Sequence, residues 1–149
     1  MRSHDLTPGR MIGVTLSHGE DFTALADTCR VNGIRHGYIA GFSTVGIVGT
    51  CQRLDNPHAP VWDRVHLTTI EALGGGTIAY ADTHDRVAPH IHVSVGLKEH
   101  SATGHTSHLL AATVQFLTEM LIIEVAASVM RRIPEARLYD VPLLRIGDN

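Results

Sequence analysis

The chain has 149 residues, 44% of them hydrophobic and 18% charged, with a formal net charge of −3. That length suits one domain able to bury roughly 68–70% of its unfolded surface, so neither a disulfide framework nor a structural metal is needed for folding alone. This composition excludes disordered and collagen-like classes, and no apolar run approaches the roughly 20 residues that span a bilayer. In chain order, Arg10–Leu16 is predicted to be a strand and Ser17-His18-Gly19 the turn after it. A helix follows, because Phe22, Leu25, Ala26 and Cys29 recur at i, i+3, i+4 and i+7. Glu20 and Asp21 precede it as partners of the helix dipole, and Gly33 ends it as a left-handed cap.

From Tyr38 to about Cys51 the apolar run is interrupted by Gly41, Gly46 and Gly49, the pattern of strands with bends or bulges. Asp55–Pro60 is predicted as a loop, 64–73 as a strand, Gly74-Gly75-Gly76 as a turn into Thr77–Tyr80, and 82–86 as a further loop. Beyond Pro89 the segment His90–Leu97 alternates, with His90, His92 and Ser94 on one face and Ile91, Val93, Val95 and Leu97 on the other. Leu109–Met130 is ambiguous, helical at Leu109–Ala112 and strand-like at Leu121–Val125, and the tail from about Pro134 is expected to pack as an edge segment. No internal repeat or long linker divides the chain, so a single domain over 1–149 is expected.

Eleven arginines and the single lysine, Lys98, are scattered, and Arg131-Arg132 is the one adjacent basic pair. A protein that grips DNA through phosphates needs a basic stripe, and linear order shows none. Cys29 and Cys51 are too few and too far apart for a redox or disulfide motif, so they are expected to be reduced structural thiols. The protein is expected to be cytoplasmic, with no membrane partner.

The chemistry concentrates in the histidines. Two histidines at i and i+2 on a strand share a face with Cα atoms roughly 6.6–6.8 Å apart, near enough for both rings to reach one ion. Zinc takes nitrogen at about 2.0–2.1 Å, and three protein ligands leave a fourth position open. Gly104-His105-Thr106-Ser107-His108 offers two choices for the third ligand, His105 and His108. Eleven histidines in 149 residues would produce about 0.8 His-x-His pairs by chance, so the motif draws its weight from its position on a patterned strand with a second histidine group one loop later. Glu71 and Glu119 lie in apolar surroundings and are candidate catalytic groups, able to orient a histidine or act as a general base. Gly74–Gly76 lacks the Lys-Ser/Thr of a phosphate loop, and Ser94 lacks a nucleophile elbow.

Taken in order, Gly19-Glu20-Asp21, Ala40-Gly41-Phe42, Glu71 before a glycine-containing turn, His90-Ile91-His92-Val93-Ser94 and Ser107-His108-Leu109, with Glu119 beyond, resemble the PPC domain, also called DUF296, over residues 8–128. The resemblance implies an α/β domain of the α+β type, a mostly antiparallel sheet with one main helix, similar in fold to acetolactate decarboxylase. It implies that Leu109–Val125 is largely strand and that the chain assembles as a homotrimer. The family's later histidine maps onto His108, with Thr106-Ser107 in place of two glycines, so the implied metal set is His90, His92 and His108, holding zinc or another divalent transition metal. Three functions follow: a metal-binding protein with a small-molecule ligand and no assigned activity, a zinc-dependent lyase or hydrolase acting on a small carbonyl substrate, and a DNA-associated regulator. The last rests on plant relatives that carry an AT-hook, and no Arg-Gly-Arg-Pro occurs here.

Overall fold

The structure, a computed structural model, describes residues 3–22, 24–54, 62–81, 86–97, 103–138 and 140–147, with side chains left undescribed over 44–54 and 62–64. The loop expected at 55–60, residues 82–85 of the one expected at 82–86, and Tyr139 lie outside these residues, while Arg86 is the first residue of a strand. Strand β1 (Pro8–Ser17) leads to helix α1 (Ala24–Val31), and β2 (Gly37–Leu54), β3 (Trp62–Ala81), β4 (Arg86–Leu97) and β5 (Gly104–Val125) follow. The tail forms β6 (Met130–Glu135) and β7 (Val141–Ile146), separated by a short 3-10 turn at Ala136–Leu138. The chain is thus an α+β fold with one helix and a mostly antiparallel sheet.

The sheet order is β1-β5-β2-β3-β6-β7, and β4 joins β3 to β5. Because β2 also pairs with both β3 and β5, these four strands close into a ring. The core lies inside it. Ile70, Ile78, Val93, Val114 and Ile122 are fully buried there, alongside Leu25 and Cys29 of the helix. Burying side chains of this size contributes about 1.5–3 kcal/mol each, which is why the alternating strands hold the register that keeps them inward.

Helix α1 ends as its sequence predicts. Gly33 takes φ +68°, the Ile34 amide donates to the Cys29 carbonyl at 2.8 Å and the Gly33 amide donates to Arg30 at 3.1 Å. That paired closure satisfies two carbonyls and sets Ile34, fully buried, against Cys29. At the other end the two acidic residues also make specific hydrogen bonds. The Glu20 carboxylate accepts from the Ser17 amide at 2.6 Å, and that of Asp21 accepts from the Thr113 hydroxyl at 2.6 Å, so both tie the turn to β1 and β5.

Strand β2 carries register shifts beside Gly41, at Gly46 and before Gly49, as the glycine pattern implies. The triple glycine behaves differently from its expectation, for Gly74-Gly75-Gly76 is no turn and runs through the middle of β3. Its role is close approach. A Cβ on Gly74 would stand 2.5 Å from both the His92 carbonyl oxygen and the Phe42 ring, and one on Gly76 would collide with the His90 carbonyl. Bare backbone here lets β4 lie close against β3.

The ambiguous segment is strand from Leu109 to Val125, as the resemblance implies, within the long β5, and it leaves the sheet at 126–129 before β6 begins at Met130. The tail becomes a hairpin whose β6 pairs in parallel with the end of β3, through Tyr80–Arg131 and Ala81–Arg132. A small second cluster, Ala79, Val125 and Met130 with Leu144 and Ile146 against it, seats this hairpin. Among the described residues no helix is long and apolar enough to cross a membrane.

Candidate metal centre

Strand β4 alternates as its sequence requires, with Ile91, Val93 and Val95 buried and His92 and Ser94 exposed. His90 and His92 therefore share the outer face. Their cross-strand neighbours on β3 are Thr77 and Gly75, and on the other side His92 pairs directly with His108 of β5.

His108 reaches that face through an irregularity in β5. Ala112 and Val114 point into the core, and even spacing alone would send His108 inward with them. Opposite β2, however, Thr50 pairs with Ala111 and Cys51 with Leu109, which leaves Leu110 as an extra residue. This bulge inverts the alternation and turns His108 outward.

The nitrogen donors of His90, His92 and His108 all lie within 4.8 Å of one another. Their ring centroids are 4.9 Å (His90–His92), 4.7 Å (His90–His108) and 4.2 Å (His92–His108) apart. His90 Nε2 and His108 Nδ1 form a 2.7 Å hydrogen bond, which requires a proton on one of the two nitrogens. Burial is the main reason the His90 imidazolium is disfavoured, with Arg132, His108 and His92 adding repulsion, and the ring titrates at about 4. His108 is also held below the ordinary histidine range, first by burial and then by His92 and Arg132. Neutral imidazoles are the form that binds metals.

The donor set fits a divalent transition ion. Tetrahedral coordination at about 2.0–2.1 Å places nitrogens about 3.3–3.4 Å apart. The 4.8 Å spread and the 2.7 Å contact bracket that spacing, so small ring rotations, with loss of the shared proton, would bring the three into place. Three imidazoles supply nitrogen ligands alone, which suits zinc, nickel, copper or iron over magnesium or calcium.

The remaining candidates lie elsewhere. His105 pairs with Val95, and the regular register between 104 and 108 sets it on the opposite side of β5 from His108. Ser94 hydrogen-bonds Thr106 at 2.9 Å. Glu71 is exposed and pairs with Gly96, four residues along β4 from His92, a separation of about 13 Å. It lines a depression of about 470 Å³ with Leu73, Ser94 and Gly96, apart from the histidines. Glu119, also exposed, pairs with Ser43 of β2 and Thr15 of β1, further across the sheet. Within one chain neither carboxylate joins the cluster.

Two residues beside the cluster went unremarked as site residues in the sequence, Arg132 and Thr77. The Arg132 side chain reaches from β6 and donates from Nη2 to Thr77 Oγ1, directly across from His90. The one hint of this was the adjacent pair Arg131-Arg132.

The sequence matches the family model of the Plants and Prokaryotes Conserved (PCC) domain over residues 4–126. Solved structures share the fold. A plant- and prokaryote-conserved protein from Pyrococcus horikoshii superposes with a TM-score of 0.80 at 20% identity, covering 97% of each chain. A metal-containing protein from Archaeoglobus fulgidus gives 0.78 at 17% identity, covering 97% of this chain and 99% of its own. A third, from Ralstonia eutropha JMP134 and provisionally described as DNA-binding, gives 0.73 at 19% identity over 92% and 90%. No curated protein matches the sequence.

Proposed function

The chain belongs to the Plants and Prokaryotes Conserved domain family, and from that membership we propose that it is a cytoplasmic, homotrimeric metal-binding protein holding zinc, or another divalent transition metal, on His90, His92 and His108. The observation that carries this reading is the convergence of three imidazoles from two paired strands, their donors within 4.8 Å of one another. The metal-containing relative from Archaeoglobus fulgidus agrees with it. Support for self-assembly comes from the outer sheet face, where Met11, Leu73 and Leu117 are 67%, 64% and 40% exposed, more apolar surface than a solitary sheet face comfortably presents to water. Cys29, buried and with its thiol pushed up to about 11 by burial, is an inert structural group consistent with a reducing compartment.

When bound, an ion with three protein ligands has an open position at which it can polarise a carbonyl or activate water. The protein's own residues disfavour the protonated forms of His90 and His108, and the β4–β5 pairing fixes the orientation of the rings. A lyase or hydrolase acting on a small carbonyl compound would also need a proton carrier. Glu71 and Glu119 are the candidates, and their distance from the cluster means that a neighbouring copy would have to deliver them. The DNA-associated reading draws on the Ralstonia relative, while the net charge of −3 opposes it, because phosphate binding depends on concentrated positive charge.

The deciding experiment is metal analysis of the purified protein beside His92→Ala. One transition metal per chain in the wild type, absent from a variant with an unchanged circular dichroism spectrum, is the expected result. Equal metal content in the two would sink the assignment. In parallel, no shift of duplex DNA is expected even at low salt, and salt-dependent binding would restore the DNA reading.

A further inference from the structure

Arg132 is a half-buried cation that meets no anion among the described residues. Arg10 holds Glu124 at 2.8 Å, Arg30 holds Asp27 at 3.2 Å and Arg145 holds Glu135 at 2.8 Å. Arg132 is less exposed than any of these, yet no carboxylate among the described residues pairs with it. Its contacts are to neutral oxygens, from Nη2 to Thr77 Oγ1 and from Nη1 to the Pro142 carbonyl at 3.4 Å, and its buried Nε has no partner among the described residues.

A guanidinium has five N–H donors, and removing it from water without a counter-charge is costly. Here the cost is incurred beside three histidines, and Arg132 is close enough to His90 and His108 to repel their protonated forms. A divalent ion on neutral imidazoles would add two more positive charges to the same corner of the sheet. Among the described residues no carboxylate offsets this sum, and an anionic ligand would.

We propose that Arg132 is the specificity-determining residue of the histidine centre, and that it selects a small organic acid whose carboxylate lies between the guanidinium and the metal position. This rests on the reading of His90, His92 and His108 as metal ligands. The short span is set by the sheet, because Thr77, which holds Nη2, is the direct cross-strand neighbour of His90, a pairing with Cα atoms about 4.5–5.5 Å apart. A planar carboxylate matches the guanidinium fork. A phosphate would call for further donors, such as a glycine-rich nest or a helix N-terminus, and the described residues around the cluster are strand.

The test uses the whole protein loaded with cobalt(II), whose visible spectrum reports coordination, titrated with acetate at constant ionic strength. Acetate is expected to perturb the wild-type spectrum saturably. Arg132→Met should keep the cobalt spectrum while binding acetate about 10–100-fold more weakly, as expected for loss of charge-assisted hydrogen bonds. Should Arg132→Met not fold, Arg132→Lys is the substitute, expected to fall between the two because it keeps the charge and loses the fork. Equal acetate affinity in wild type and variant overturns the proposal, as does phosphate binding more tightly than acetate with the same dependence on Arg132. A wild-type protein that takes up no cobalt overturns the metal assignment itself, a failure visible before any acetate is added.

Discussion

His92 and His108 are direct antiparallel partners on β4 and β5, with ring centroids 4.2 Å apart. Strand pairing, not a loop, thus fixes two of the three candidate ligands, and His90 joins them two residues along the same strand. Side chains placed by paired backbone lose little further freedom on binding an ion, which favours tight coordination.

The register separates the two candidates for third ligand. His108→Ala is expected to weaken zinc binding at least about 100-fold, whereas His105→Ala, on the opposite side of β5, leaves it within about twofold. Competition titrations against a chromophoric chelator would measure both. Equal losses would mean that β5 does not hold this register in solution.

Acid should weaken the metal-free protein through His90. Its folded value of about 4 lies below the ordinary 6.5, so between those values the unfolded chain takes up a proton that the folded chain refuses. The contribution is complete above pH 6.5 and declines as pH falls towards 4. For a half-buried ring, after solvent screening, it amounts to about 1–2 kcal/mol. Urea midpoints compared at pH 7.5 and 4.5 should fall further for the wild type than for His90→Gln, and parallel falls would refute the burial argument.

Gly74→Ala is expected to destabilise by about 2–3 kcal/mol, because its Cβ would sit 2.5 Å from the His92 carbonyl oxygen and the Phe42 ring. Gly13→Ala has nothing within 4 Å and should change stability by less than about 0.5 kcal/mol. Chemical denaturation of the pair distinguishes a packing requirement from a general dislike of side chains in the strands.

Leu73→Glu tests the assembly. Leu73 is 64% exposed on the outer face, so the change should leave the fold intact while dispersing the proposed trimer, as read by light scattering on a sizing column beside the wild type. A variant that remains trimeric would move the interface to another surface.

Much of this was legible locally. The alternation of His90–Leu97 assigns two histidines to one face, the Phe22–Cys29 stripe with Gly33 defines the helix and its end, and the glycines of β2 mark its bulges. Each of these depends on neighbours a few residues away, and the period of the chain carries that information. Other features depend on distant partners. Gly74–Gly76 has turn composition, but its place in mid-strand follows from the backbones of β2 and β4 pressing on β3. The outward turn of His108 follows from one extra residue against β2, and the nearness of Arg132 to His90 follows from the tail hairpin docking beside β3. The sequence by itself determined which strands and which histidine pair could build a centre. The resemblance mapped the third imidazole onto His108, and only the tertiary structure brought it beside the pair and put a cation there, because strand register and pairing are settled by long-range burial that no local period encodes.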